Sequence, residues 1–239
     1  MVNNRFILST IAAITVASAA SAAEKPKPAP APAPAPAPAL ASGKASPSAE
    51  KVDPELVRRG AYLVATGGCN DCHTPMKFDE KLGMPVPDMS RALSGHPSGA
   101  PEATGTVGER DMALIGPTFT SFKLPFGTVY SANITSDPKT GIGGWSEQMF
   151  ISAMRTGRSL GAAGNRPILP PMPWTTVAQF TDEDLKAIFA FLKSTKPIVN
   201  AIPAPKVPDP VVKQLAKAND EIAKSFSKPK VTPAAAQGR

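Results

Sequence analysis

The sequence predicts an all-α domain, a few helices joined by long irregular loops and flanked at both ends by low-complexity segments. Three observations carry this expectation. Apolar residues recur at helical spacing in three stretches, over 55–65, after Ser146 and after Thr181, each opened by an N-capping residue. Residues 74–129 have little periodicity and many punctuators, among them Pro75, Pro85, Pro87, Pro97, Pro101, Pro117 and Pro125, and read as one long loop region. Proline is densest outside the central part of the 239-residue chain, where 14 of its 28 prolines fall in 1–50 and 201–239, stretches expected to bury no core.

Met1-Val2-Asn3-Asn4-Arg5 is a short basic leader, and 6–17 form an apolar run too short to span a bilayer comfortably. Ala20-Ser21-Ala22 then supplies a small-residue cleavage pattern, so residues 1–22 are expected to be a signal peptide, cut after Ala22 or Ala23; an uncleaved membrane anchor is the alternative. Residues 23–50 are an Ala/Pro-rich linker. Alternating proline favours polyproline II, and the eleven positions from 28 to 38 would reach roughly 30 Å as a semi-rigid spacer. The folded domain is expected over 51–200. A Pro/Lys-rich tail follows over 201–239, in which 209–226 place Val211, Val212, Leu215, Ile222 and Phe226 at helical spacings.

Within the domain, Asp53 is a suitable N-cap with Pro54 at the first helical position. Leu56, Tyr62 and Leu63 then lie on or near one face, with Ala61 and Val64 beside them. Gly60 sits mid-helix, where glycine costs about 1 kcal/mol against alanine, which makes sense if another helix approaches closely. Gly67-Gly68 ends this helix. Residues 126–134 suit a short extended segment, followed by the glycine-rich turn Gly141-Ile142-Gly143-Gly144. Ser146 caps the next helix, with Met149, Phe150, Ala153 and Met154 as its apolar stripe and Gly157 as its stop. Thr181 caps the last strong helix, with Asp184 at the capping-box position and Leu185, Ile188, Phe189 and Leu192 on its apolar face.

The chemistry is concentrated in Cys69-Asn70-Asp71-Cys72-His73, a C-x-x-C-H pattern and the attachment signature of a c-type haem. Two thiols three positions apart sit about one helical turn apart, so both can form thioethers to one porphyrin. The adjoining histidine then reaches the iron as its proximal ligand. A structural zinc site usually takes four ligands, and the chain has two cysteines and two histidines in all. A redox dithiol would want a strand-turn-helix context, whereas the residues before Cys69 read as helix. One covalent haem c with its iron is therefore the expected cofactor, and no cysteine is left for a disulfide.

For the sixth iron ligand, Met149 and Met154 lie in a helical stripe and read as core, and Met76 is too near His73 to cross to the opposite face. Met84, Met89, Met112 and Met172 stay open on spacing alone. His96, in the polar stretch Ser94-Gly95-His96-Pro97, reads as a solvated loop histidine, with a distal ligand as the alternative. Pro117 or Pro125 is expected to offer its carbonyl to the His73 ring. Arg155 and Arg158 flank the Gly157 helix end and are candidates for a haem propionate, against a solvated helix terminus. Asn133 and Trp145 are candidate buried donors beside them.

The order of helix, C-x-x-C-H, irregular middle, isolated methionine and amphipathic final helix resembles a class I cytochrome c. More specifically, Phe126-Gly127-Thr128-Val129-Tyr130-Ser131-Ala132-Asn133-Ile134-Thr135, Gly141-Ile142-Gly143-Gly144-Trp145-Ser146, Met172-Pro173-Trp174 and Thr181-Asp182-Glu183-Asp184-Leu185 resemble the haem domains in cytochrome c subunits of bacterial membrane-linked alcohol and sugar (gluconate-type) dehydrogenases. The resemblance covers about 55–199. Those subunits typically carry three such domains, and this chain has one. The resemblance implies Met172 as the axial methionine, Gly60 facing the final helix near Ile188 and Phe189, and haem attachment outside the bacterial cytoplasm.

It implies an electron-transfer protein of the periplasmic respiratory chain, with a dehydrogenase as donor and an oxidase or another cytochrome as acceptor, and no enzyme activity of its own. Two other classes stand beside it, a haem enzyme or gas sensor with an exchangeable distal site, and a structural module whose haem only completes the fold. The formal net charge of +7 can signal nucleic acid, acidic lipid or an acidic protein. Export argues against nucleic acid, which leaves the tail lysines for a membrane surface or a redox partner.

Overall fold

The computed structural model describes residues 53–226. The expected signal peptide and Ala/Pro linker, and the end of the tail, lie outside the described residues. Asp53 caps helix α1 (Pro54–Thr66) by accepting the Glu55 N–H at 2.9 Å, and Pro54 occupies the first turn. Helix α1 crosses helix α5 (Asp182–Ser194) at Gly60, as the resemblance implies, but the residues facing Gly60 are Ala187 and Phe191 rather than Ile188 and Phe189. A Cβ there would overlap the Ala187 carbonyl oxygen and come within 2.7 Å of the Phe191 Cβ, so glycine is what lets the two backbones touch. Leu63 and Val64 are buried in this crossing, but Tyr62 is not part of it. Its ring points to solvent beneath the Arg59 guanidinium.

Helix α5 starts as expected. Thr181 Oγ1 accepts the Asp184 N–H at 3.1 Å, and three acidic residues in the first turn complement the helix dipole. Leu185 is fully buried and Ile188, Phe189 and Leu192 nearly so. Each such side chain contributes roughly 2 kcal/mol by leaving water. Helix α3 (Glu147–Thr156) is capped by Ser146 and stopped by Gly157 in the left-handed region. It adds Phe150 and Ile151 to the same core, with the Phe150 and Phe189 ring centroids 5.5 Å apart. Short helices α2 (Cys69–His73) and α4 (Trp174–Val177) and the longer α6 (Asp209–Ser225) complete the helical set among the described residues.

The fold is not all-α. Within 74–129 the chain makes a hairpin of β1 (Met76–Asp79) and β2 (Met84–Pro87), and then an antiparallel sheet of β3 (Leu114–Ile115), β4 (Ser121–Leu124) and β5 (Gly127–Tyr130). The strands are two to four residues long, too short for an alternating pattern to emerge among the prolines. The extended stretch expected at 126–134 is strand β5 and its continuation. Contacts also run across residue 200. Lys206 pairs with Thr128 through both backbone groups, at 3.1 and 2.8 Å, and α6 packs against α3.

Candidate functional site

Helix α1 ends at Gly67, and Gly68, with φ +70°, turns the chain into α2. The two thiols of Cys69 and Cys72 therefore sit one turn apart on a five-residue helix, both partly buried and unpaired with each other. Burial pushes both thiols up, and the Asp71 carboxylate adds to this. A redox dithiol needs the opposite, a depressed thiol pKa. Among the described residues no group of three or more His, Cys, Asp and Glu side chains is placed to hold a metal ion, which argues against a closed zinc site.

His73 is buried, and its Nδ1 lies 2.8 Å from the Ala132 carbonyl oxygen. Desolvation holds its pKa down, while the carbonyl works the other way. A neutral ring that donates Nδ1–H to a carbonyl presents its Nε2 lone pair as a metal ligand. The carbonyl thus comes from Ala132, not from Pro117 or Pro125. Backbone oxygens carry no side-chain signal, and sequence offered no way to choose this one.

The turn after α2 is held tightly. Thr74 is fully buried, donating from Oγ1 to Asn70 Oδ1 and accepting the Leu93 N–H, both at 3.0 Å. The Gly95 N–H donates to the His73 carbonyl at 2.7 Å, and the His96 N–H donates to the Ser131 carbonyl at 3.0 Å. His96 is not a solvated loop residue. It is 1% exposed, with Nδ1 2.9 Å from Thr120 Oγ1 and its ring tilted against Tyr130, so it belongs to the packing behind the Ser131-Ala132 backbone.

The other candidates divide. Met84, Met89 and Met112 are 53%, 66% and 87% exposed, whereas Met172 is half-buried in a turn whose next helix begins with buried Trp174. Cys69, Trp145 and Met154 all pack against the core of α1, α3 and α5, giving the pentapeptide an apolar neighbourhood. Asn133 is buried and spends its side chain on its own loop and on the segment after α5. Its Oδ1 accepts from Thr135 N and Oγ1 at 3.0 and 2.7 Å, and its Nδ2 donates to Thr140 Oγ1 and the Ile198 carbonyl at 3.1 and 2.8 Å.

The arginines turn away as well. Arg155 donates to the Ala178 carbonyl and pairs with Asp182 at 2.6 Å. Arg158 is buried and bound to Asp220 of α6. Neither is a solvated helix end, and neither has donors aimed at the pentapeptide. The donor set nevertheless fits a covalent haem: two thiols at the right spacing, an imidazole with the correct nitrogen free, and apolar walls.

No protein-family model matches the chain. Known relatives are recognisable. The cytochrome c subunit of quinone-dependent alcohol dehydrogenase from Gluconobacter oxydans is 30% identical over 165 residues, 68% of this chain and 26% of that protein. The gluconate 2-dehydrogenase cytochrome c subunit of Pantoea cypripedii is 32% identical over 168 residues, 70% and 30% of the two chains. A fructose dehydrogenase cytochrome subunit of Gluconobacter japonicus is 35% identical over 88 residues, 36% and 17% of the two chains. The chain thus spans less than a third of the length of each.

Proposed function

From its relationship to the cytochrome c subunits of bacterial dehydrogenases, we propose that the chain is a monohaem c-type cytochrome, a periplasmic carrier of single electrons and not an enzyme in its own right. The observation that carries this reading is α2, which presents Cys69 and Cys72 for two thioethers and His73 with Nδ1 committed to Ala132 and Nε2 free. His73 and Met172 would be the axial ligands. When bound, the haem supplies a one-electron iron couple.

The chain's own residues set the terms of that couple. Ala132 fixes the orientation and tautomer of His73 and makes the ring a better donor. A thioether from Met172 would raise the potential relative to a second imidazole and would keep outside ligands away. The core around Leu63, Leu93, Ile142 and Phe150 excludes water, so a haem held beside it would have a fixed, weakly polar surrounding. The donor class follows from the relatives, a dehydrogenase; the acceptor would be an oxidase or another cytochrome. Among the described residues no helix is long and apolar enough to cross a membrane.

The test is the intact mass of the protein from the periplasmic fraction of a host able to mature c-type cytochromes. The expected mass is that of a chain beginning near Ala23 or Glu24 plus one haem. A mass without haem would return the two cysteines to other chemistry. Met172→Ala should abolish low-spin methionine coordination, and an unchanged spectrum would remove Met172 from the site.

A further inference from the structure

Helix α6 and Phe226 just past its end touch both ends of the segment carrying Met172, at Ile168 and at Trp174. The loop just before that segment, 158–167, is closed at its base by the Ile168 N–H on the Gly157 carbonyl at 2.7 Å and by the Ser159 N–H on the Arg166 carbonyl at 3.0 Å, and Met172 follows four residues after Ile168. Asn219 stands against this base. Its Nδ2 donates to the Gly157 carbonyl at 2.9 Å and to the Ile168 carbonyl at 3.1 Å, so one amide joins the two arms of that preceding loop and anchors Ile168, where the Met172 segment starts. Beside it, Arg158 places Nε and Nη2 2.9 and 2.5 Å from the Asp220 carboxylate oxygens, and Nη2 also donates to the Ala216 carbonyl at 3.0 Å.

The far end of the Met172 segment is held too. Trp174, two residues after Met172, meets the Phe226 ring edge-on at 6.0 Å. Trp174 also closes over Gly157, where a Cβ would come within 2.6 Å of its Cε2 and 2.9 Å of Asn219 Nδ2. A helix that only covered apolar surface would bury apolar side chains. In α6 the one buried residue is Asn219, and its amide goes to the two loop carbonyls.

We propose that Asn219 is a positioning residue for Met172. Helix α6 staples the segment so that the thioether holds its place, and release of the staple opens the sixth coordination position to outside ligands. This rests on the reading of Met172 as the axial ligand.

The experiment uses the full-length holoprotein with Asn219→Leu, which keeps the branched heavy-atom skeleton and removes the amide donor. Two readouts apply, the methionine-to-iron charge-transfer band of the oxidised protein and carbon monoxide binding by the reduced protein. The expected result is a weakened band and faster carbon monoxide binding, on the order of tenfold for the loss of one buried donor's anchoring. Asn219→Gln, which restores an amide, should recover part of both. If the leucine variant fails to accumulate, Phe226→Ala decides by the same readouts from the other end of the segment.

A holoprotein with wild-type band and wild-type carbon monoxide resistance in both variants overturns the positioning role. Met172→Ala separates the two levels. If it shifts the spectrum while the α6 variants do not, only the positioning role falls. If it leaves the spectrum unchanged, the ligand assignment falls.

Discussion

His73 Nδ1 and the Ala132 carbonyl oxygen meet at 2.8 Å, across 59 residues of sequence. The position of that carbonyl therefore decides how the imidazole is aimed, and what stands behind it matters as much as the contact itself.

Gly95 stands there. Its φ is +73°, and an added Cβ would lie 2.5 Å from both the carbon and the oxygen of the Ala132 carbonyl and from the Ser131 oxygen. These are backbone atoms that cannot swing aside. Gly95→Ala should cost about 2 kcal/mol or more, from left-handed strain and overpacking together. It should also shift the midpoint potential by moving the carbonyl. Denaturant titration and redox titration of the holoprotein check this; wild-type values in both would show that Ala132 needs no such clearance.

Gly60→Leu tests the α1–α5 crossing. Overpacking against the Ala187 backbone should cost about 3 kcal/mol, at the upper end for extra methylenes in a packed core. Holoprotein yield should fall with it. Normal yield and an unmoved unfolding midpoint would count against this crossing as a determinant of the fold.

His96 gives a pH dependence. Burial lowers its pKa, although Glu102 nearby works the other way. The charged and titratable groups around it are Tyr130 on β5 and the Glu102–Lys206 pair, whose ions lie 2.8 Å apart. A histidine with a depressed folded pKa is protonated first in the unfolded chain. Its stabilising contribution is therefore full above the ordinary value near 6.5 and is lost as pH falls from there through the folded pKa. Unfolding free energies at a series of pH values below about 7 should decline in the wild type and decline less steeply in His96→Gln. Equal slopes would exclude His96 as the source.

Asn200 is 3% exposed and ties the same loop from the far side. Its Nδ2 donates to the Ser94 and His96 carbonyls at 2.7 and 2.9 Å, and its Oδ1 accepts the Ser98 N–H at 3.0 Å. Asn200→Ala leaves buried partners unmatched and should cost about 2 to 3 kcal/mol. Hydrogen exchange should accelerate at the Gly95 and His96 amides before it does in α5. Uniform acceleration across the domain would indicate a global effect instead.

How far the sequence reached depended on where each signal is stored. Helix starts are local, and Asp53, Ser146 and Thr181 cap as their residue types suggest. The C-x-x-C-H spacing is local as well. Strands β1 to β4 were not legible, because their pairing is made by backbone groups in short, proline-interrupted stretches, whereas β5 fell within the extended stretch expected at 126–134. His96 misled because its neighbours in sequence are polar, whereas its burial is supplied by Thr120, Tyr130 and Asn200, all distant along the chain. Arg158 likewise looked like a free helix-end charge until α6 placed Asp220 against it. Ala132 was invisible, since its contribution is a main-chain oxygen.

Two of the buried asparagines lie far along the chain from the pentapeptide. Asn200 and Asn219 are the residues that fasten the loops behind His73 and around Met172, and they are made long after the pentapeptide at 69–73. A chain emerging from its N-terminus exposes both thiols while these fasteners are still missing. Full closure of the domain therefore needs residues 200 and 219, which are made well after Cys69, Cys72 and His73.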